Sequence, residues 1–202
     1  MKFKIKHAAL VLAGIGAAAL ITIAMLHFNR MILLQNYLDT LTANAQDGDI
    51  ICRLGDRTWS LYFKGLSKRD KRFSHLGIIR RNGESLTVIN AEGRAWAGKD
   101  CVNEVALQEF ITPARMIGLY RLDHADGKAI VREALTMIGR PFDWDFDLKN
   151  TDKLYCTELL YAVLKKTAPE IELETVHTFR RDIVPLEAVS NSTQFREVLF
   201  FE

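Results

Sequence analysis

Cysteine is scarce in this sequence, and its scarcity excludes two classes of small protein. The 202 residues contain three cysteines, Cys52, Cys101 and Cys156, with no Cys-x-x-Cys spacing. Three cysteines cannot form a disulfide framework, and this spacing predicts neither a structural zinc site nor a thioredoxin-like redox centre. Cys52 and Cys101 could pair in an oxidising compartment and leave Cys156 free. We therefore expect no metal and no other cofactor.

The sequence also lacks a marked net charge of either sign. Lys and Arg number 27 against 25 for Asp and Glu, which gives a formal charge of +2. Domains that bind nucleic acid usually carry a basic patch or stripe, and here no basic stretch is interleaved with aromatic residues. We therefore expect no nucleic-acid partner.

A long apolar run is present near the N-terminus. Residues 8–28 are uncharged and rich in Ala, Leu and Ile, and about 21 residues are enough to cross a bilayer as a helix. A secretory signal also has a basic start and an apolar middle. This run is long for a signal core, however, and it ends in the bulky residues 25–28 rather than at a small-residue cleavage site. We predict an uncleaved transmembrane anchor, with a cleaved signal as the alternative.

The charges on either side of this run predict its orientation. Lys2, Lys4 and Lys6 precede it, and Arg30 is the only basic residue that follows soon after. Because the more basic flank of a membrane helix stays in the cytoplasm, the rest of the chain is expected on the far side. The prediction is a single-pass protein of a bacterial inner membrane, with its globular part facing the periplasm or the cell exterior.

The remainder of the chain is predicted to be one α+β domain on a helical stalk. Apolar residues recur at helical spacing through 29–46, and Asp47-Gly48-Asp49 then gives a turn signal. No internal repeat or low-complexity tract follows. We predict a tail and anchor over 1–28, a stalk over 29–46 and a domain over 47–202. Its expected elements are strands at Ile50–Cys52, Phe73–Arg80, Ser85–Asn90, Ile117–Leu122 and Gln194–Phe201, and helices at Gly127–Ile138 and Tyr155–Thr167.

Two of the predicted strands bring a histidine and a carboxylate together. Asn82-Gly83 predicts a two-residue hairpin turn between them. His75 opens the first strand, and Glu92 lies just beyond the second, on the same face as Asn90. Because the outer ends of a hairpin lie opposite each other, His75 and Glu92 are expected to be neighbours.

Cys156 is predicted to stand at the start of an apolar helix. A helix N-terminus and a nearby imidazole both favour the thiolate, which is the nucleophilic form of cysteine. His75 could then act as general base, Glu92 could orient its ring, and first-turn amides with Tyr155 could stabilise an oxyanion. Each residue also has a purely structural explanation, since free cysteine is commonly a small buried hydrophobe.

Four short stretches carry a resemblance to a known family. In chain order they are Gly48–Ile51, Phe73–Ile78, Ile89–Gly93 and Tyr155–Leu159. They resemble the permuted papain-fold NlpC-type cysteine hydrolases, the YaeF/YiiX-like amidases, in which the histidine strand precedes the cysteine helix. The resemblance implies a circularly permuted papain-like domain. It also implies that Cys156 is the nucleophile, His75 the base and Glu92 the residue that orients the imidazole.

The resemblance leaves the substrate open, because the family acts on wall peptides, acylated amino acids and lipids. The first hypothesis is a cysteine hydrolase that cleaves an amide or ester bond through a thioester, in cell-wall peptides for example. The second is acyl transfer or deacylation on lipid-like or N-acylated substrates, which the nearby membrane and Trp59, Trp96 and Trp144 favour. The third is a catalytically silent binding module, which an intact Cys-His-Glu set disfavours.

Overall fold

Strands dominate the chain after residue 47 in the computed structural model, which describes residues 2–55, 64–94, 99–178 and 180–202. For residues 2–15, 17, 18, 94 and 99 it describes the backbone alone, and Trp59 and Trp96 lie outside the described residues. The helices are α1 (Lys2–Asn44), α2 (Leu107–Ile111), α3 (Gly127–Leu135), α4 (Cys156–Thr167) and α5 (Glu187–Ser190). The strands are β1 (Ile50–Gly55), β2 (His75–Asn82), β3 (Ser85–Arg94), β4 (Lys99–Ala106), β5 (Ala114–Arg121), β6 (Val176–Thr178), β7 (Arg181–Ile183) and β8 (Arg196–Phe201).

Six strands form an antiparallel sheet in the order β4-β3-β2-β1-β5-β8, while β6 and β7 pair separately. The central strand β1 pairs with β2 on one side and β5 on the other. Its residues Ile50, Ile51 and Cys52 are fully buried, which explains why the strand is a continuous apolar run rather than an alternating one. The α+β fold predicted from the sequence is confirmed.

The β2–β3 hairpin has the predicted turn. Asn82 pairs with Ser85, and Gly83 adopts a left-handed conformation with φ of 61°, which glycine accommodates without steric cost. Pairing continues as far as Ile78 and Ile89. Further along, Gly77 lies so close to β3 that an added Cβ would be 2.4 Å from Val88 Cγ1. The absence of a side chain at Gly77 therefore lets the two strands approach each other beside His75.

Helix α4 packs against β2, β3 and α3. Its apolar face, with Leu159, Leu160, Val163 and Leu164, is buried in the main core. Asp126 is the N-cap of helix α3. Its side chain accepts hydrogen bonds from the first-turn amides of Lys128 and Ala129, which have no partner within the helix. The packing of α4 on the sheet fixes the position of its first residue, Cys156.

The chain divides into two compact units, the first ending at Asp39 and the second covering Thr40–Glu202. The described part of the first unit is helical, and its apolar side chains from Leu20 to Leu33 are about half exposed or more. Among the residues described, no helix combines the length and the apolar character needed to cross a bilayer. The predicted transmembrane anchor is therefore not supported, and the predicted orientation, export and segment boundaries stay predictions.

Candidate active site

Cys156 is the first residue of α4. Tyr155 precedes it in an extended conformation, with φ of −94° and ψ of 172°, and serves as the N-cap residue. The cysteine is buried, with 7% of its surface exposed. The sequence prediction of a cysteine at the start of a buried helix is confirmed.

Burial and local dipoles act on the Cys156 thiol in opposite directions. Burial raises its pKa to about 11, whereas hydrogen bonds from the backbone amides of Leu76, Thr157 and Cys156 itself, and the charge of Arg53, act to lower it. The two amides of α4 are first-turn N–H groups, which have no partner within a helix. At neutral pH the thiol is thus protonated and needs a base, while the amides that would stabilise its anion are already in place.

His75 is the first residue of β2. Its strand pairs with β1, where Arg53 lies directly opposite, and the next residue, Leu76, provides the amide that points to the Cys156 sulfur. This contact places the Cys156 sulfur next to the backbone of the residue that follows His75. Because β2 starts at His75, the sulfur lies at the end of the strand that carries the imidazole.

A chain of amide groups determines which nitrogen of His75 carries hydrogen. Asn90 Oδ1 lies 3.0 Å from His75 Nε2, Asn90 Nδ2 donates to Asn103 Oδ1 at 3.1 Å, and Asn103 Nδ2 donates to the Cys101 carbonyl at 3.3 Å. A backbone carbonyl can only accept, so it fixes the orientation of both amides in turn. His75 Nε2 is consequently the donor to Asn90, and the lone pair of the neutral ring is on Nδ1.

Asn90 is therefore a site residue that the sequence analysis did not select. It is fully buried and lies on the same face of β3 as Glu92, two residues away. This alternation was visible in the sequence, but it did not indicate which of the two side chains reaches the imidazole. The partner strand β4, which supplies Asn103, was not predicted because its sequence has no apolar alternation.

Glu92 has Arg53 as a partner. Its Oε1 accepts from Arg53 Nη2 at 2.9 Å, with side chains that are 12% and 7% exposed. Arg53 also donates to the Phe110 backbone carbonyl. Charged side chains this buried are normally paired, and the pair places Glu92 beside Arg53, the cross-strand neighbour of His75. The predicted role of Glu92 in orienting the imidazole stays a prediction.

Tyr155 and Thr157 attach the helix start to the segment after β7. The hydroxyl of Tyr155 accepts from the Val184 amide at 3.0 Å, and Thr157 Oγ1 donates to the Val184 carbonyl at 2.6 Å. Tyr155 is 3% exposed, and burial raises the pKa of its hydroxyl. These contacts assign Tyr155 a structural part in holding Cys156, and the predicted oxyanion role of Tyr155 stays a prediction.

The described residues contain neither a disulfide nor a cluster of metal-binding side chains. All three cysteines are free thiols, so the pairing of Cys52 with Cys101 that the sequence left open is absent. In the described part of the chain, no group of three or more His, Cys, Asp or Glu side chains is arranged to hold a metal ion. Trp144 is 48% exposed, and its indole donates to the Asp100 carboxylate at 3.0 Å.

Comparisons with known proteins agree with this architecture. A family model described as permuted papain-like amidase enzyme, YaeF/YiiX, C92 family matches residues 44–199. The crystal structure described as metalloprotein yiiX from Escherichia coli O157:H7 is similar, with a TM-score of 0.64 and 18% identity over 77% of this chain and 97% of that one. No curated protein sequence matches. Since the family model covers most of the chain, the protein belongs to the permuted papain-like amidase family YaeF/YiiX.

Proposed function

We propose that this protein is a cysteine amidase in which Cys156 is the nucleophile, His75 the general base and Asn90 the residue that orients the imidazole. The observation that carries the proposal is the amide chain from Cys101 through Asn103 and Asn90 to His75. It keeps Nδ1 unprotonated at the end of the strand beside the Cys156 sulfur. A buried thiol with a raised pKa is inert without such a base.

The proposed reaction begins with proton transfer from the Cys156 thiol to His75 Nδ1. The sulfur then attacks the carbonyl carbon of an amide, and the C–N bond breaks as the imidazolium returns the proton to the departing amine. This leaves a thioester on Cys156. Water, deprotonated by His75, attacks the thioester carbonyl, and the free acid leaves as the thiol is restored. An ester substrate follows the same steps with an alcohol as the leaving group.

The backbone amides at the start of α4 are the proposed oxyanion donors. The N–H groups of Cys156 and Thr157 are directed at the sulfur in the resting site. A carbonyl that bonds to the sulfur brings its oxygen into the same region, where these first-turn donors can stabilise the developing charge. The positive charge of Arg53 also acts on the sulfur and lowers the pKa of the thiol.

The proposed substrate class is a peptide or another acyl-amide, and wall peptides are the first candidates to test. The full chain is incubated with purified wall peptides and, separately, with extracted membrane lipids, and the released products are identified by mass. We expect cleaved peptide with the parent protein and none with Cys156→Ala. Release of fatty acid from lipids instead would move the assignment to a lipid deacylase. Equal cleavage by Cys156→Ala would contradict the thiol mechanism.

A further inference from the structure

The imidazole of His75 is held on one face as well as at Nε2. The ring of Phe110 stacks on it, with centroids 5.5 Å apart and planes inclined by 28°. Phe110 belongs to the short helix α2 and is 1% exposed. The aromatic side chain is thus enclosed by protein and cannot move away from the imidazole without disturbing its surroundings.

Phe110 is also in contact with Arg53. The guanidinium carbon of Arg53 lies 4.4 Å from the centroid of the Phe110 ring, and Arg53 Nη1 donates to the Phe110 carbonyl. Arg53 Nη2 is bound to Glu92 Oε1 at 2.9 Å. One arginine therefore contacts both the ring and the backbone of Phe110, and its carboxylate partner prevents it from turning elsewhere.

We propose that Phe110 is a positioning residue for His75, and that the buried Arg53–Glu92 pair keeps Phe110 in place. The inference rests on the proposed function. The hydrogen bond at Nε2 fixes the position of one ring atom. Ring stacking fixes the plane of the imidazole. The hydrogen bond to Asn90 and the stack on Phe110 together determine where Nδ1 points.

This arrangement also gives Glu92 a defined part in the site. Without the carboxylate, Arg53 would be an uncompensated buried cation, which is unfavourable. It would also stand opposite a ring that becomes positively charged during the reaction. Glu92 therefore acts on His75 through Arg53 and Phe110.

The test measures alkylation of Cys156 by iodoacetamide at pH 7, which requires no knowledge of the substrate. The proteins are full chains carrying Cys101→Ser: the parent, His75→Ala, Phe110→Leu and Phe195→Leu. Phe195→Leu is the matched control for the loss of a buried ring. Phe195 precedes Arg196, which pairs with β5 at Arg121, whereas the β5 residue opposite Arg53 is Ile117. Phe110→Leu is expected to slow alkylation roughly ten- to hundredfold, because small misplacements of a catalytic group are costly. Phe195→Leu is expected to react at the parent rate.

A second variant keeps the test decisive if Phe110→Leu does not fold, as judged by thermal unfolding. Arg53→Lys retains the charge but lacks the second donor that joins Glu92 to Phe110, and it is expected to give an intermediate rate. If Phe110→Leu, or Arg53→Lys in its place, alkylates at the parent rate while His75→Ala is slow, the positioning role is wrong and the proposed function stands. If His75→Ala is as fast as the parent, both are wrong.

Discussion

Replacing His75 with alanine should greatly slow the alkylation of Cys156 at neutral pH. The structure gives the size of the effect. With a pKa of about 11, a thiol at pH 7 is ionised in about one molecule in ten thousand, which corresponds to about 5 kcal/mol. General base catalysis by a positioned imidazole typically contributes roughly 10²- to 10⁴-fold. This range is large enough to offset the small fraction of thiolate at pH 7. The parent should therefore react with iodoacetamide roughly 10²- to 10⁴-fold faster than His75→Ala at pH 7.

The pH dependence separates the two proteins further. Without the base, the rate should rise tenfold for each pH unit from 7 to 9.5, with no plateau, because the pH stays below the pKa of the Cys156 thiol over that whole range. The rate of the parent should rise less steeply with pH, because the imidazole rather than hydroxide removes the thiol proton. The two rates should therefore converge as the pH rises.

The assay follows the modified peptide by mass in a Cys101→Ser background, since Cys101 is partly exposed and would react. Cys156→Ala in the same background shows whether any signal comes from Cys52, which is fully buried. Rates for parent and His75→Ala that agree within about twofold at pH 7 would refute the assignment of His75, because general base catalysis predicts a far larger ratio.

Three further predictions concern single polar groups. Asn90→Ala removes the acceptor at His75 Nε2, so we expect alkylation at pH 7 to fall roughly tenfold or more, and an unchanged rate would exclude Asn90 from the site. Burial raises the pKa of Glu158 from 4.5 to about 8, so its contribution to the free energy of unfolding is complete below pH 4.5 and is lost as the pH rises through 8. Glu158→Gln should remove that slope in chemical denaturation, and an identical slope in the variant would contradict the shift. Burial acts to raise the pKa of Glu187, but hydrogen bonds from the amides of Lys68, Asp70 and Arg69 lower it overall. Glu187 therefore stabilises the fold above pH 4.5 and loses that effect in acid. Glu187→Gln should be less stable at pH 7 by roughly 1–3 kcal/mol, with a difference that shrinks as the pH falls. A difference in stability that stays constant as the pH falls would contradict the lowered pKa of Glu187.

Local patterns in the sequence were sufficient to predict the β2–β3 hairpin and helix α4. Asn82-Gly83 specified the hairpin, and the helical spacing after Cys156 specified α4. The order of histidine strand before cysteine helix pointed to the permuted family, which the family model confirms. The hairpin and the helix are readable because each depends on residues close together in the chain.

Other parts of the site depend on residues that are far apart in sequence. Phe110 and Arg53 are separated by 57 positions, and nothing near either one indicates that they meet beside His75. Alternation placed Asn90 and Glu92 on one face, but the choice between them depends on Asn103 in β4. That strand has the sequence KDCVNEVA, in which polar residues at the site replace the alternation that would have revealed it.

The two hydrogen bonds to Val184 bear on how the protein is made. Residues on both sides of Cys156 are joined to a segment that lies 27 and 29 positions later in the chain. During synthesis, which proceeds from the N-terminus, the strand carrying His75 emerges first and the nucleophile much later. We expect the thiol to acquire its final position only after Val184 has left the ribosome. A nascent chain would thus have its base well before it has a working nucleophile.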